Sequence, residues 1–117
     1  MTNLPSNNNI SALTDFVDLL KIQFGDMLSE VLLFGSFARG DFDNSSDVDV
    51  MVLLNSVDSD ILKFSPVVSD IAYQIIQKYN IPLSTITNSK SYFDSRKYAP
   101  GLYNNVFNEG ITFYDRH

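Results

Sequence analysis

This sequence of 117 residues contains no cysteine, which excludes disulfides and thiolate-bound metal sites. A cytoplasmic location fits a chain without disulfides. No apolar run approaches the length of a membrane span. The first residues have neither a basic n-region nor an apolar h-region, so we expect no signal peptide.

Basic residues are also scarce. Eight Lys and Arg stand against fourteen Asp and Glu, which gives a net charge of −6. This balance argues against a broad nucleic-acid-binding face, because such a face needs a basic patch or stripe. A small polyanionic ligand remains compatible with this net charge if a cation neutralises both the ligand and the acidic side chains.

The hydrophobic pattern predicts a single α/β (α+β) domain over residues 1–117, with 1–8 as a flexible lead-in. We expect a small mixed β-sheet of about four strands packed with helices. Ser65 is expected to cap the longest helix and Pro66 to lie in its first turn, although residues 60–64 can add a preceding turn. The predicted helices are 10–24, 66–79, 89–98 and 102–110, and the predicted strands are 31–34, 48–54, 81–87 and 111–114.

The most informative segment is 31–54, "VLLFGSFARGDFDNSSDVDVMVLL", in which two apolar runs enclose a polar stretch. Asp47 and Asp49 lie two residues apart at the mouth of a strand, so both side chains should point to one face, roughly 6.6 Å apart along the chain. Two neighbouring carboxylates repel each other and resist desolvation. Divalent cations would offset that cost, and Mg²⁺ is the natural candidate because it combines carboxylates with phosphate oxygens and water.

The pair Gly35-Ser36 follows the first of these strands. Glycine permits a tight turn and a close backbone approach. A short helix beginning at Ser36 would offer free N–H groups to an anion, and the Ser36 hydroxyl would add a donor. Arg39 either reaches a phosphate or neutralises an aspartate, and Ser46 belongs with the loop before Asp47; we assign both to the nucleotide-binding set.

The stretch "GSFARGDFDNSSDVD" resembles the signature of the DNA polymerase β-like nucleotidyltransferase superfamily, in particular its minimal nucleotidyltransferases. Gly35-Ser36, ten residues and Asp47-x-Asp49 match that pattern in full. The resemblance implies the nucleotidyltransferase fold and transfer of a nucleoside monophosphate from ATP or another NTP, with pyrophosphate leaving. It also implies two Mg²⁺ ions on Asp47 and Asp49, and the triphosphate on Gly35 and Ser36.

One departure from the pattern concerns the acceptor. Active relatives place a third carboxylate on the strand after the long helix, where it helps to hold a metal and deprotonates the acceptor hydroxyl. Here that strand is 81–87, and its polar members are Ser84 and Thr85. Loss of a general base typically costs on the order of 10²–10⁴ in rate. Asp41 and Asp43 are expected to be solvated loop residues, although either could stand in for the missing acid.

The resemblance also implies a partner. Small members are often paired with a HEPN-domain ribonuclease toxin, and known antitoxins of this kind attach AMP to a tyrosine of the toxin. The leading hypothesis is therefore an ATP- and Mg²⁺-dependent antitoxin. The alternative is a non-catalytic, nucleotide-binding antitoxin or regulatory module that acts by protein–protein contact. An aminoglycoside-type modifier is the weakest option, because the chain has no room for a second domain.

Overall fold

The computed structural model describes residues 7–40 and 47–116, which form five α-helices and four strands, together with two short 3-10 helices at Gly25–Met27 and Asp58–Asp60. The expected mixed α/β fold is confirmed. The helices are α1 (Asn7–Phe24), α2 (Gly35–Arg39), α3 (Ile61–Tyr79), α4 (Lys90–Arg96) and α5 (Leu102–Glu109). The strands are β1 (Leu28–Phe34), β2 (Val48–Leu54), β3 (Leu83–Ser89) and β4 (Ile111–Asp115).

The four strands form one mixed sheet in the order β3-β2-β1-β4. Strand β1 is antiparallel to both β2 and β4, and β2 is parallel to β3. A parallel pair needs a crossover connection, and α3 supplies it between β2 and β3. In this register Asp49 lies opposite Phe34 on one side and opposite Ser84 on the other.

The sheet is covered on both faces, which explains why β2 is almost uniformly apolar. Helices α1 and α3 pack with Val48, Val50 and Val52 in the larger core. Met51 and Leu53 point the other way, into a smaller core with residues of α4 and α5. Because side chains alternate along a strand, Asp49 shares the face of Met51 and Leu53. None of the helices in the described ranges is both long and apolar enough to cross a membrane.

Several element boundaries differ from the prediction. Helix α3 begins at Ile61, so Ser65 does not cap it and Pro66 is its sixth residue, whereas the preceding turn that the sequence allowed over residues 60–64 is present. At the sixth position the proline has no N–H to donate to the Leu62 carbonyl, so α3 lacks one hydrogen bond in its second turn. Strand β3 starts two residues later than expected, immediately after Pro82.

The beginning of the chain also differs. Asn7 and Asn8, expected in the lead-in, belong to α1. The rest of that stretch lies outside the described residues.

The predicted cap of α4 is confirmed. Ser89 caps this helix, since its hydroxyl accepts a hydrogen bond from the Tyr92 N–H at 3.0 Å.

A polar contact connects α1 to the end of α3. The Tyr79 hydroxyl and, at 2.9 Å, the Lys78 ammonium both donate to Oδ2 of Asp15. The Tyr79 hydrogen bond, followed by that of Lys78, lowers the pKa of Asp15 below its ordinary value of 3.8. The contact therefore favours the folded state when Asp15 is ionised.

We expect Asp15→Asn to lower the melting temperature by a few degrees at pH 7, because the substitution removes the charge that Lys78 and Tyr79 contact. A depressed carboxyl pKa contributes stability that is present above 3.8 and is lost as the pH falls through the folded-state pKa. The difference between variant and parent should therefore shrink below pH 3.8. Thermal unfolding followed by circular dichroism from pH 7 to pH 2.5 measures it. Asp18→Asn, on the exposed surface of the same helix, is the control, and equal effects of the two substitutions at every pH would contradict the assignment.

Candidate functional site

The site begins where β1 ends and the chain turns into α2. Gly35 occupies this turn with φ +72°, a left-handed conformation that favours glycine. A Cβ atom built on Gly35 would collide with Oδ2 of Asp49 and lie 3.3 Å from its Cγ. The turn therefore requires glycine for two reasons, since a side chain would strain the backbone and displace the carboxylate.

The two aspartates of the motif lie at the start of β2. Asp47 directly precedes the strand, and its Oδ2 accepts a hydrogen bond from the Ser84 hydroxyl at 3.1 Å. The next residue, Val48, donates its N–H to the Pro82 carbonyl at 2.9 Å, which ties this entry point to β3. Asp49 lies against Gly35. The structure thus places both carboxylates between the β1–α2 turn and the start of β3.

The site carries an excess of negative charge. Burial raises the pKa of Asp49 most, and the neighbouring charge of Asp47 raises it further, whereas Arg39 acts in the opposite direction. When the pKa of an acid is raised, its ionisation in the folded protein costs more free energy than ionisation in water. A hard divalent cation would remove that cost, and two carboxylates with phosphate and water oxygens form a ligand set that suits Mg²⁺.

Arg39 ends α2 and extends toward α5. Its Nη1 lies 4.0 Å from Oε2 of Glu109, and both side chains are about half exposed, at 48% and 53%. Arg39 is also close enough to Asp49 to lower its pKa. The sequence left open whether Arg39 neutralises an aspartate or reaches a phosphate. The structure shows a cation near both Asp49 and the Gly35 turn, which is compatible with either role.

The remaining predicted residues divide into two groups. Ser36 is the second residue of α2 and is half-buried beside Gly35. Phe34, which precedes the helix, provides no side-chain cap for its N–H groups. Ser46 lies outside the described residues, as do Asp41 and Asp43.

The β3 position that the resemblance associates with an acid is confirmed to lack one. Strand β3 reads LSTITNS, and Ser84 is the residue opposite Asp49. Within residues 7–40 and 47–116, no group of three or more His, Cys, Asp or Glu side chains is placed to hold a metal. A metal ion held by Asp47 and Asp49 would therefore need further oxygens from substrate and water.

Sequence reasoning missed one wall of the site. A cavity of about 230 Å³ adjoins the Gly35 turn, between α2 and α5. Its lining combines the end of β1, both ends of α2 and one side of α5: Phe34, Gly35, Arg39, Leu102, Asn105, Val106 and Glu109. The amphipathic pattern of α5 predicted its helix but gave no signal of which element it packs against.

Comparison with known proteins places this geometry in context. The sequence model of a family described as "Nucleotidyltransferase domain" matches residues 14–110. A protein of Methanocaldococcus jannaschii named "Putative protein adenylyltransferase" is 31% identical over 107 residues, which cover 92% of this chain and 99% of that protein.

Two solved structures share the fold. One, described as a "putative nucleotidyltransferase from Sulfolobus solfataricus", has a TM-score of 0.57 and 20% sequence identity, and the match covers 92% of this chain and 80% of that one. The other, described as a "toxin-antitoxin with AMP-PNP", has a TM-score of 0.56 and 16% identity, and covers 94% of this chain and 74% of that one. At these identities the likeness concerns the fold.

Proposed function

This chain belongs to the nucleotidyltransferase domain family, and from that premise we propose that it transfers AMP from ATP to a hydroxyl group of a partner protein. The observation that carries the proposal is the contact between Asp49 and Gly35, with Asp47 close by. This contact places two carboxylates beside a turn that has no room for a side chain. The carboxylates can bind metal ions, and the bare turn lets the backbone approach a triphosphate.

In this proposal Asp47 and Asp49 would hold Mg²⁺, up to two ions, and are the catalytic residues. When bound, Mg²⁺ neutralises charge on the phosphates and polarises the phosphorus that is attacked. Gly35 and Ser36 bind the phosphates through backbone N–H groups and the Ser36 hydroxyl. Arg39 adds positive charge near the same phosphates, and Ser46 belongs to the nucleotide-binding set by its place in the motif.

The transfer itself is a substitution at the α-phosphorus. The acceptor oxygen forms a bond to that phosphorus, the bond to the bridging oxygen of the β-phosphate breaks, and pyrophosphate leaves with the bonding electrons. The acceptor proton passes to solvent, to a phosphate oxygen or to another acid such as Asp41 or Asp43, because β3 has Ser84 opposite Asp49 and contains no carboxylate. A phenol, with a pKa near 10, loses its proton more readily than an aliphatic hydroxyl.

We take a tyrosine of a HEPN-domain toxin as the acceptor, which would make this chain the antitoxin of the pair. Three observations support that choice. A relative whose match covers 92% of this chain is named a "Putative protein adenylyltransferase", a structural neighbour is described as a "toxin-antitoxin with AMP-PNP", and β3 contains no carboxylate that could deprotonate a weakly acidic hydroxyl.

The direct test mixes the purified chain with the protein encoded beside its gene, ATP and Mg²⁺, and weighs that neighbour by mass spectrometry. We expect a mass increase of one or more AMP units on a tyrosine, and none when EDTA is added. An unmodified neighbour in a mixture where the chain demonstrably binds ATP would overturn the proposal.

The absence of an acid in β3 favours a second candidate, a nucleotide-binding antitoxin that neutralises its partner by contact alone. The double variant Asp47→Asn, Asp49→Asn separates the two functions in cells that express the toxin. If neutralisation requires catalysis, the double variant no longer protects the cells. Full protection by the variant would favour the contact mechanism.

The absent β3 carboxylate gives a further prediction. Ser84→Asp introduces an acid opposite Asp49 and should accelerate transfer by about tenfold, which is less than the roughly 10²–10⁴ that a fully positioned general base provides. Initial rates of labelling from radioactive ATP measure the effect. Ser84→Asn is the matched control, since it has nearly the same shape without the charge, and it should not accelerate transfer. If the two variants have equal rates, proton removal does not limit the reaction.

A further inference from the structure

The cavity between α2 and α5 has no role in the functions assigned above. Its floor includes Phe34, whose Cα lies opposite that of Asp49 in the sheet register. Gly35 and Arg39 line it as well, so it opens beside the groups proposed to hold the triphosphate. At about 230 Å³ it is smaller than the roughly 300 Å³ at which pockets for whole drug-sized ligands begin. It fits one ring system better than an entire nucleotide.

The polar group on the α5 wall is Asn105. Helix α5 contains three asparagines, and two of them bond within the protein. The Asn104 amide donates to the Lys97 carbonyl at 2.7 Å, and Asn108 donates to Asn104 at 3.2 Å. Asn105 is an exposed residue that lines the cavity, and the hydrogen bonds found among the described residues include none from its side chain. Its amide is therefore available to a ligand as both donor and acceptor.

The other lining residues narrow the class of ligand. Arg39 and Glu109 both line the cavity and their charged groups lie 4.0 Å apart, so together they add no net charge to the lining. The Glu109 carboxylate accepts hydrogen bonds from N–H groups. Leu102, Val106 and Phe34 supply apolar contacts, and aromatic rings favour stacking with nucleobases. The ligand should thus be flat, uncharged and provided with an N–H donor on one edge.

We propose that this cavity binds the adenine ring of the nucleotide and that Asn105 reads its edge, an inference that rests on the proposed nucleotidyl transfer. An asparagine amide pairs with adenine in a bidentate manner, accepting from the N6 amino group and donating to N7. Guanine has an oxygen acceptor in place of that amino group, and this oxygen would face the Asn105 carbonyl or the Glu109 carboxylate. The α5 wall therefore selects ATP over GTP.

The test compares the binding of ATP, GTP and inorganic tripolyphosphate in the presence of Mg²⁺ by isothermal titration calorimetry. We expect the parent to bind ATP about tenfold more tightly than GTP. Asn105→Ala should weaken ATP binding by about tenfold and leave tripolyphosphate binding unchanged, since a bidentate contact to a base contributes discrimination of this order. Asn108→Ala, an exposed residue of the same helix, is the matched control and should match the parent.

The outcomes distinguish this inference from the proposed function. Equal binding of ATP and GTP by the parent would overturn the inference and leave the transferase proposal intact, provided that tripolyphosphate binds and Asp49→Asn abolishes its Mg²⁺-dependent binding. The same conclusion follows if Asn105→Ala weakens ATP binding no more than Asn108→Ala does. Failure of the parent to bind ATP, GTP or tripolyphosphate would overturn both proposals.

Discussion

Asp49→Asn is expected to reduce nucleotidyl transfer by on the order of a thousandfold, while the metal-free protein remains at least as stable as the parent. The loss follows if Asp49 holds Mg²⁺, because metal stabilisation of the transition state is worth several kcal/mol and each 1.36 kcal/mol corresponds to a factor of ten. The stability follows from the neutral amide, which avoids both the desolvation of the carboxylate and its repulsion from Asp47, the two effects that raise the Asp49 pKa. Labelling rates measure the first effect, and thermal unfolding in EDTA measures the second.

The opposite directions of these two effects are what make the experiment decisive. A structural aspartate would lose activity through loss of stability, so both quantities would fall together. Asp70→Asn, which removes one charge from an exposed position on α3, controls for the change in net charge and should leave both unchanged. A fully active Asp49→Asn variant would remove the acidic pair from the mechanism.

The sequence was sufficient to predict the elements that local pattern determines. Strand β2 has the predicted bounds because its apolar run is continuous and a buried strand needs apolar residues on both faces. Ser89 marks the start of α4 through side-chain capping, and α5 ends immediately before Gly110, as predicted. The position of Asp49 beside Gly35 also follows from short-range features, since the strand that precedes Gly35 pairs directly with the strand that contains Asp49.

Features that depend on long-range packing could not be predicted from the sequence. The bond from Ser84 to Asp47 requires the parallel register of β2 and β3, which is set only after α3 has crossed between them. The cavity beside Asn105 requires α5 to lie against α2, although more than sixty residues separate the two helices along the chain. Pro66 did not define the start of α3, because proline favours a first turn while the structure has the additional preceding turn that the sequence allowed over residues 60–64.

Gly35→Ala is the other substitution with a large expected effect. Alanine at φ +72° costs roughly 1–2 kcal/mol of backbone strain, so the melting temperature should fall by several degrees. The added Cβ also overlaps Oδ2 of Asp49 and forces that carboxylate to move. A displacement of about 1 Å at a reacting centre costs on the order of a hundredfold in rate, and we expect a loss of that size in the labelling assay.

Gly25→Ala separates the two causes. Gly25 also has a positive φ, of 54°, but its added Cβ would meet no atom within 4 Å. The two variants should therefore have similar melting temperatures, because the backbone strain is similar, while only Gly35→Ala loses transfer when both are assayed well below unfolding. If Gly25→Ala lost transfer to the same extent, strain alone would explain the result. If both variants kept full activity, the carboxylate of Asp49 would not need the position in which the glycine turn holds it.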